Sequence, residues 1–245
     1  MTRPAADFAA AAARYDELRP VDANWQELLD LMVREGGLVA RRVLDVGCGT
    51  GTLATALAER GARVWGVDAE PAMLDVARCR VPRGVGVKEA RAEALPFKDG
   101  WFDRVVMRLV LHLLDRPRAL AEARRVLGPD GRLTVATFAP EHAERSWLAP
   151  LAPRIVELDR PGFPGATALA AEAEAAGFAA VRTTRLSQVT QLARADALER
   201  LRGRYISTLR LLEDAEFVEA VARAERDLPE TVEVHLEWLV LVAEA

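Results

Sequence analysis

Apolar positions along the first half of the chain switch repeatedly between two periods. Trp25, Leu28, Leu29, Met32 and Val33 recur at helical spacing, which predicts an amphipathic helix over 22–36, opened by Asp22 and closed by Gly36 and Gly37. Arg41-Arg42-Val43-Leu44-Asp45-Val46 then forms a short buried strand that runs directly into Gly47-Cys48-Gly49-Thr50-Gly51. An Ala-rich helix over 52–60 stops at Gly61. The alternation continues with a strand from Val64 to Asp68, a helix with Pro71 in its first turn, a short strand from Val85 to Lys88 and a strand from Phe102 to Met107. Pro117 opens a helix through Leu127, Pro129-Asp130-Gly131 makes a turn, and Leu133 to Phe138 is a fifth apolar strand. Repeated βαβ units of this kind imply a parallel sheet with right-handed crossovers.

Beyond Phe138 the pattern loosens into a Pro-punctuated stretch, a helix over 167–176 ending at Gly177 and a strand from Val181 to Gln191. Helices over 195–212 and 214–227 follow, and Val232 to Val242 closes the chain as a strand-like run. The expected organisation is one domain over 1–245: an N-terminal helical cap over 1–38, a core over 40–138, and a C-terminal half over 139–245 with a helical insertion at about 195–228.

Composition narrows the function classes. Apolar residues make up 51% and charged residues 29%, the balance of a folded globular protein. The net charge of -4 argues against a nucleic-acid partner, whose phosphates select a basic surface. Cys48 and Cys79 stand alone without His or Cys at ligand spacing, so neither a zinc site nor a disulfide framework is expected, and a reducing cytoplasmic setting fits. Arg3, Pro4 and Asp7 ahead of an alanine run ending at Arg14 match neither a signal sequence nor a membrane span.

The candidate chemistry sits where the first strand meets the first crossover helix. Gly47, Gly49 and Gly51 let backbone groups approach a ligand without intervening side chains. Asp68 ends the second strand, where a carboxylate accepts from both hydroxyls of a ribose. The dinucleotide pattern G-x-G-x-x-G requires its third glycine where Thr52 stands, and no Walker lysine follows the loop. A ligand with a ribose and no phosphates fits better, which disfavours a nicotinamide oxidoreductase.

Val43-Leu44-Asp45-Val46-Gly47-Cys48-Gly49-Thr50-Gly51 resembles the first motif of the class I S-adenosylmethionine (SAM) dependent methyltransferases, in particular the small-molecule, menaquinone- and ubiquinone-biosynthesis-like type 11 group. Further similarity lies in Val64-Trp65-Gly66-Val67-Asp68 with Met73-Leu74, in Ala92-Glu93-Ala94-Leu95-Pro96-Phe97, in Phe102-Asp103-Arg104-Val105-Val106, in Leu111-His112 and in Leu127 to Leu133, so that it spans 40–138. The resemblance implies an α/β, Rossmann-like sheet of seven mostly parallel strands, the last antiparallel, with helices on both faces and a helical lid. It implies SAM as cofactor, with Gly47, Cys48, Gly49 and Gly51 facing its methionine portion, Asp45 supporting the loop and the methionine amino group, and Asp68 with Ala69 holding the ribose. Met73 would pack on the adenine, and Ala92 would donate its N–H to an adenine nitrogen. Relatives often carry Asp or Asn where this chain has Arg91, which cannot accept from the adenine amino group; Glu93 or a backbone carbonyl would substitute.

Four further sites are singled out. His112 is a candidate base near the acceptor or a packed ring within Leu109 to Leu114. Arg108 either pairs with the methionine carboxylate or an acidic substrate, or has a structural role. Tyr15 and Arg19 resemble a segment that closes over SAM, and ordinary helix docking is the alternative. Tyr205 and Ser207 lie in the insertion, where related enzymes place part of a lid. The expected reaction is methyl transfer to a small molecule by in-line displacement, with orientation supplying much of the acceleration. A nucleic-acid or protein methyltransferase and a non-catalytic SAM-binding protein are the alternatives.

Overall fold

A computed structural model describes Ala12 and residues 14–245; the part of the expected N-terminal cap that falls on 1–11 lies outside the described residues. Seven strands form one sheet: β1 (Arg42–Val46), β2 (Arg63–Asp68), β3 (Gly86–Glu89), β4 (Phe102–Arg108), β5 (Leu127–Phe138), β6 (Ala179–Ala193) and β7 (Thr231–Glu244). Their order is β3-β2-β1-β4-β5-β7-β6, parallel from β3 through β5, with β7 antiparallel to both neighbours. The expected seven strands and antiparallel last strand are therefore found.

The strand order turns back at β1 and β4, because the crossovers after β1 run one way along the sheet and those after β4 run the other. Such a switch opens a crevice beyond the carboxyl ends of the two strands. β1 and β4 are buried on both faces, as their continuous apolar runs require. α1 (Ala23–Gly36) and α2 (Thr52–Glu59) cover one face, where Leu28, Met32, Leu53 and Leu57 pack on Val43, Val64 and Val106. α4 (Arg116–Val126) and α7 (Ala166–Ala175) cover the other, with Leu120 and Leu169 packed on Leu44, Val105 and Leu133. α1 begins where Asp22 accepts from the Trp25 N–H at 2.8 Å and ends at a left-handed Gly37, the two caps the sequence places there. Arg104 closes the same end by donating to the carbonyls of Gly36 and Gly37 at 2.8 and 3.1 Å.

Two local expectations are corrected. The predicted turn at Pro129-Asp130-Gly131 lies inside β5: Phe102 pairs with Leu127 and Arg104 with Arg132, so one residue of β4 faces four of β5 and the turn is absorbed as a bulge. The predicted helix over 195–212 breaks in two. α8 (Arg194–Arg202) stops where Arg204 adopts φ 47°, and a 3-10 turn over Ser207–Leu211 follows before α9 (Asp214–Asp227). Tertiary contacts hold the break, since the Arg204 guanidinium lies 3.8 Å over the Phe217 ring and 3.3 Å from Asp214. α5 (His142–Arg145) lies against β7, and α6 (Arg154–Asp159), α8 and α9 form a third apolar cluster with Leu192, Val232 and Val234 at the extended ends of β6 and β7. α3 (Pro71–Arg80) completes the helices that flank the crevice.

Candidate active site

The glycine loop leaves β1 at the switch point. Gly47 and Cys48 both donate to the Val67 carbonyl, at 2.8 and 3.0 Å, which ties the loop to β2. Gly47, Gly49 and Gly51 all have left-handed φ values (73°, 53° and 79°), a region that disfavours side chains. Their surroundings differ. A Cβ at Gly47 would lie 2.4 Å from Val110 and one at Gly51 would lie 2.9 Å from Val81, whereas one at Gly49 would meet nothing within 4 Å. Gly47 and Gly51 are glycines for packing, and Gly49 presents bare backbone to open space.

Asp68 organises this surface. One carboxylate oxygen accepts from the Gly49 N–H at 2.8 Å and the other from the Glu70 N–H at 2.9 Å. Burial raises its pKa, against the pull of the backbone donors at Glu70, Gly49 and Ala69. A carboxylate has about four lone-pair sites, so two such bonds leave capacity for a diol. Asp45, 1% exposed, keeps one oxygen without a hydrogen-bond partner among the described residues. Burial and the nearby Asp68 push its pKa up to about 7, opposed by Arg108 and the Ala54 N–H. Arg108, half-buried at the end of β4, lies 5.9 Å from the Trp25 ring and 5.6 Å from the Trp238 ring. Burial lowers its pKa, with Tyr15, Asp45 and Asp22 pulling the other way and Arg19 adding repulsion. The structure thus brings together an open glycine loop, a carboxylate with lone pairs to spare, an unpartnered carboxylate oxygen and a half-buried cation. That set matches an amino-acid group joined to a nucleoside.

The other expected contacts divide. Ala69 is exposed beside Asp68, and Ala92 is buried with Leu95 and Val67. Met73, 3% exposed, is covered by Ala12 and Tyr15. Cys48 turns inward against Gly66, and burial raises its thiol pKa, so its side chain packs the loop and only its backbone borders the crevice. Glu93 accepts from the Asp115 N–H at 3.1 Å and pairs with Arg91 at 3.3 Å, anchoring the start of α4. Two such bonds leave Glu93 lone pairs to spare, as at Asp68.

The segment 14–19 lies across the site as a strap, and its fastening escaped the sequence reading. Asp16 accepts from Thr50 at 2.8 Å and from Thr52 at 3.3 Å, and pairs with Arg80 at 2.6 Å. Arg80 also donates to both threonine hydroxyls. The strap is bolted to the glycine loop and to the end of α3. Tyr15 carries the Arg19 guanidinium 3.9 Å over its ring. The one local signal was the threonine on either side of Gly51.

Beyond the carboxyl end of β4, His112 lies in a 3-10 turn over Leu111–Leu113 that begins two residues past Leu109 at φ 51°. Its ring is 5.1 Å from Phe163, which meets Phe138 edge-on; Phe138 stacks on His142 at 3.6 Å and leans on Trp238 at 4.4 Å. Burial holds His142 down at about 4. Nothing in the local sequence marked His142, Phe163 or Trp238 as a group. Tyr205 is half-buried in the insertion, whereas Ser207 is buried and turned into the core of the insertion.

The fold is a Rossmann-like seven-stranded sheet similar to that of solved methyltransferases. Residues 44–135 match the family described as a methyltransferase domain. It is 41% identical over 126 residues to an uncharacterized methyltransferase of Mycobacterium tuberculosis, covering 51% of this chain and 49% of that protein. It is also 41% identical over 145 residues to the demethylmenaquinone methyltransferase of Thermus thermophilus, covering 54% of this chain and 64% of that one. The match thus spans about half the length of the first of these relatives. Among solved structures, phosphoethanolamine N-methyltransferase 2 of Haemonchus contortus, in complex with S-adenosyl-L-methionine, superposes with a TM-score of 0.62 at 20% identity, covering 96% of this chain and 57% of that one. No helix among the described residues is long and apolar enough to cross a membrane.

Proposed function

We propose that the protein transfers a methyl group from SAM to a small-molecule acceptor by in-line displacement, in the cytoplasm. The observation that carries this reading is the pairing of Asp68 with Gly49: a carboxylate at the end of β2 fixes the one loop glycine that faces open space. When bound, SAM supplies a methyl carbon made electrophilic by its sulfonium. The chain's own residues then bind and orient. Asp68 holds the ribose diol, the unpartnered Asp45 oxygen accepts from the methionine ammonium, and Arg108 receives the methionine carboxylate. Ala69, Met73 and Ala92 flank the adenine, with Glu93 at its edge. Tyr15 and the strap cover the bound ligand and exclude water. His112, at the carboxyl end of β4, is placed to take a proton from the acceptor, an effect of about 100-fold or more where it operates. The acidic net charge of -4 supports a small molecule over a nucleic acid.

Calorimetric titration of wild-type and Asp68→Ala protein with SAM, S-adenosylhomocysteine and NAD tests the reading. Hydrogen bonds to a charged acceptor contribute about 1.5 to 3 kcal/mol each, so the substitution weakens SAM and product at least about tenfold. Wild-type protein that ignores SAM, or prefers NAD, contradicts the proposal.

A further inference from the structure

Arg108 is held in place without a carboxylate. It makes no ion pair among the described residues, and its guanidinium lies instead over two indoles, 5.9 Å from the Trp25 ring and 5.6 Å from the Trp238 ring. Both distances fall within the roughly 6 Å over which a ring face attracts a cation. The two rings therefore set where the charge stands.

Both indoles are fixed by one side chain. Gln188 lies on β6, the strand at the edge of the sheet, yet is only 4% exposed. β6 and β7 pair Leu186 with Trp238 and Gln188 with Leu236, which makes Gln188 and Trp238 diagonal neighbours on one face. The Gln188 amide oxygen accepts from the Trp238 Nε1–H at 3.0 Å. Its nitrogen donates to the Asn24 carbonyl at 2.9 Å and to a Glu27 carboxylate oxygen at 2.6 Å. Asn24 and Glu27 flank Trp25 in α1, so the amide grips the ring of one indole and the helix that carries the other. The set admits one orientation: an indole N–H only donates and a carbonyl or carboxylate only accepts, so a turned amide would set donor against donor. Methionine or leucine would fill the same space with no polar group to bury. A buried amide with matched partners specifies direction as well as volume.

We propose that Gln188 is a positioning residue for the cofactor: through Trp238 and the start of α1 it fixes the two indoles that hold the Arg108 guanidinium where the methionine carboxylate arrives. This inference rests on the methyl-transfer reading above. Without the amide, Trp238 loses its directional bond and α1 loses a tie to β6. The guanidinium is then less ordered before the ligand arrives, a cost that falls only on ligands with a carboxylate.

Calorimetry with two probes tests the proposal: S-adenosylhomocysteine, and methylthioadenosine, which has the same nucleoside and sulfur but no amino-acid group. Gln188→Met keeps the side-chain length and removes the amide's hydrogen bonds. It weakens S-adenosylhomocysteine about five- to tenfold and leaves methylthioadenosine within about twofold. Arg108→Gln also weakens S-adenosylhomocysteine selectively, and adding Gln188→Met to it changes affinity by less than about twofold, because the group it positions is gone. Thermal melting verifies folding. If Gln188→Met does not fold, Glu27→Ala, at an exposed position of α1, loosens the same amide and carries the test with a selective loss of about threefold. Loss of both probes in step, an unchanged S-adenosylhomocysteine affinity, or additive effects of the Gln188 and Arg108 substitutions overturns the inference. Failure of S-adenosylhomocysteine to bind wild-type protein sinks the methyl-transfer reading instead.

Discussion

Asp45 and His142 show burial working in opposite directions on two single residues. The Asp45 carboxyl is raised from 3.8 to about 7, so the folded protein holds a proton that the unfolded chain gives up, and this group's contribution is lost as pH rises through that window. His142 is lowered from 6.5 to about 4, so the unfolded chain binds the extra proton, and its contribution is lost as pH falls through that window. The two windows overlap and their slopes oppose, each at most about 1.4 kcal/mol per pH unit. Asp45→Asn removes one of them. Denaturant midpoints of ligand-free Asp45→Asn protein should therefore climb from pH 4 to pH 6.5, the range of the His142 shift, while wild-type values stay comparatively flat. The same variant should be more stable than wild type at pH 8, and should bind SAM more weakly because the ammonium loses its carboxylate. Parallel pH profiles for the two proteins would contradict this assignment of Asp45.

Among the elements, the strap matters most to the site, and its fastening is a half-buried network around one carboxylate. Asp16 and Arg80 have side-chain exposures of 32% and 30%, so solvent screens their attraction, and the two threonine hydroxyls supply the remaining bonds. Asp16→Ala should cost global stability no more than about 1 kcal/mol, but should raise the dissociation rate of S-adenosylhomocysteine several-fold in stopped-flow displacement. Faster amide exchange at Tyr15 to Arg19 should accompany it. An unchanged dissociation rate would separate the strap from ligand retention. The sheet, the helix caps at Asp22 and Gly37, the glycine loop and Asp68 were legible in the sequence, because each is written in local periodicity or in residues within one βα unit. The Asp16–Arg80 pair is separated by 64 residues and the Asp16–Thr50 bond by 34, so no local pattern reports them. For the same reason the Glu93–Asp115 bond is silent in the sequence: the two residues are 22 apart, and Asp115 starts α4. The break at Arg204 was hidden because the 195–212 stretch is helical by period, and a contact from α9 overrides that period.

At the scale of the whole molecule, the apolar clusters on the two faces of the sheet are distinct from the cluster of the insertion, and the strap touches both ends of the site that lies between them. Asp16 grips the glycine loop, Arg14 pairs with Glu199 of α8, and Leu18 rests on Gly203 at the end of that helix. This makes Gly203 a joint between cofactor site and insertion. A Cβ there would lie 2.6 Å from a Leu18 methyl, the movable tip of a side chain, so Gly203→Ala displaces the strap without breaking the fold. Its thermal midpoint should stay within a few degrees of wild type, since Gly203 has a negative φ that alanine adopts, while S-adenosylhomocysteine affinity falls. Leu18→Ala removes the other side of the clash. If the strap couples the two regions through this contact, the double variant should bind S-adenosylhomocysteine more tightly than additivity of the single variants allows, by at least about 0.5 kcal/mol. Strict additivity would mean that the strap answers to the glycine loop alone, and that closure over the cofactor and seating of the acceptor are separate events.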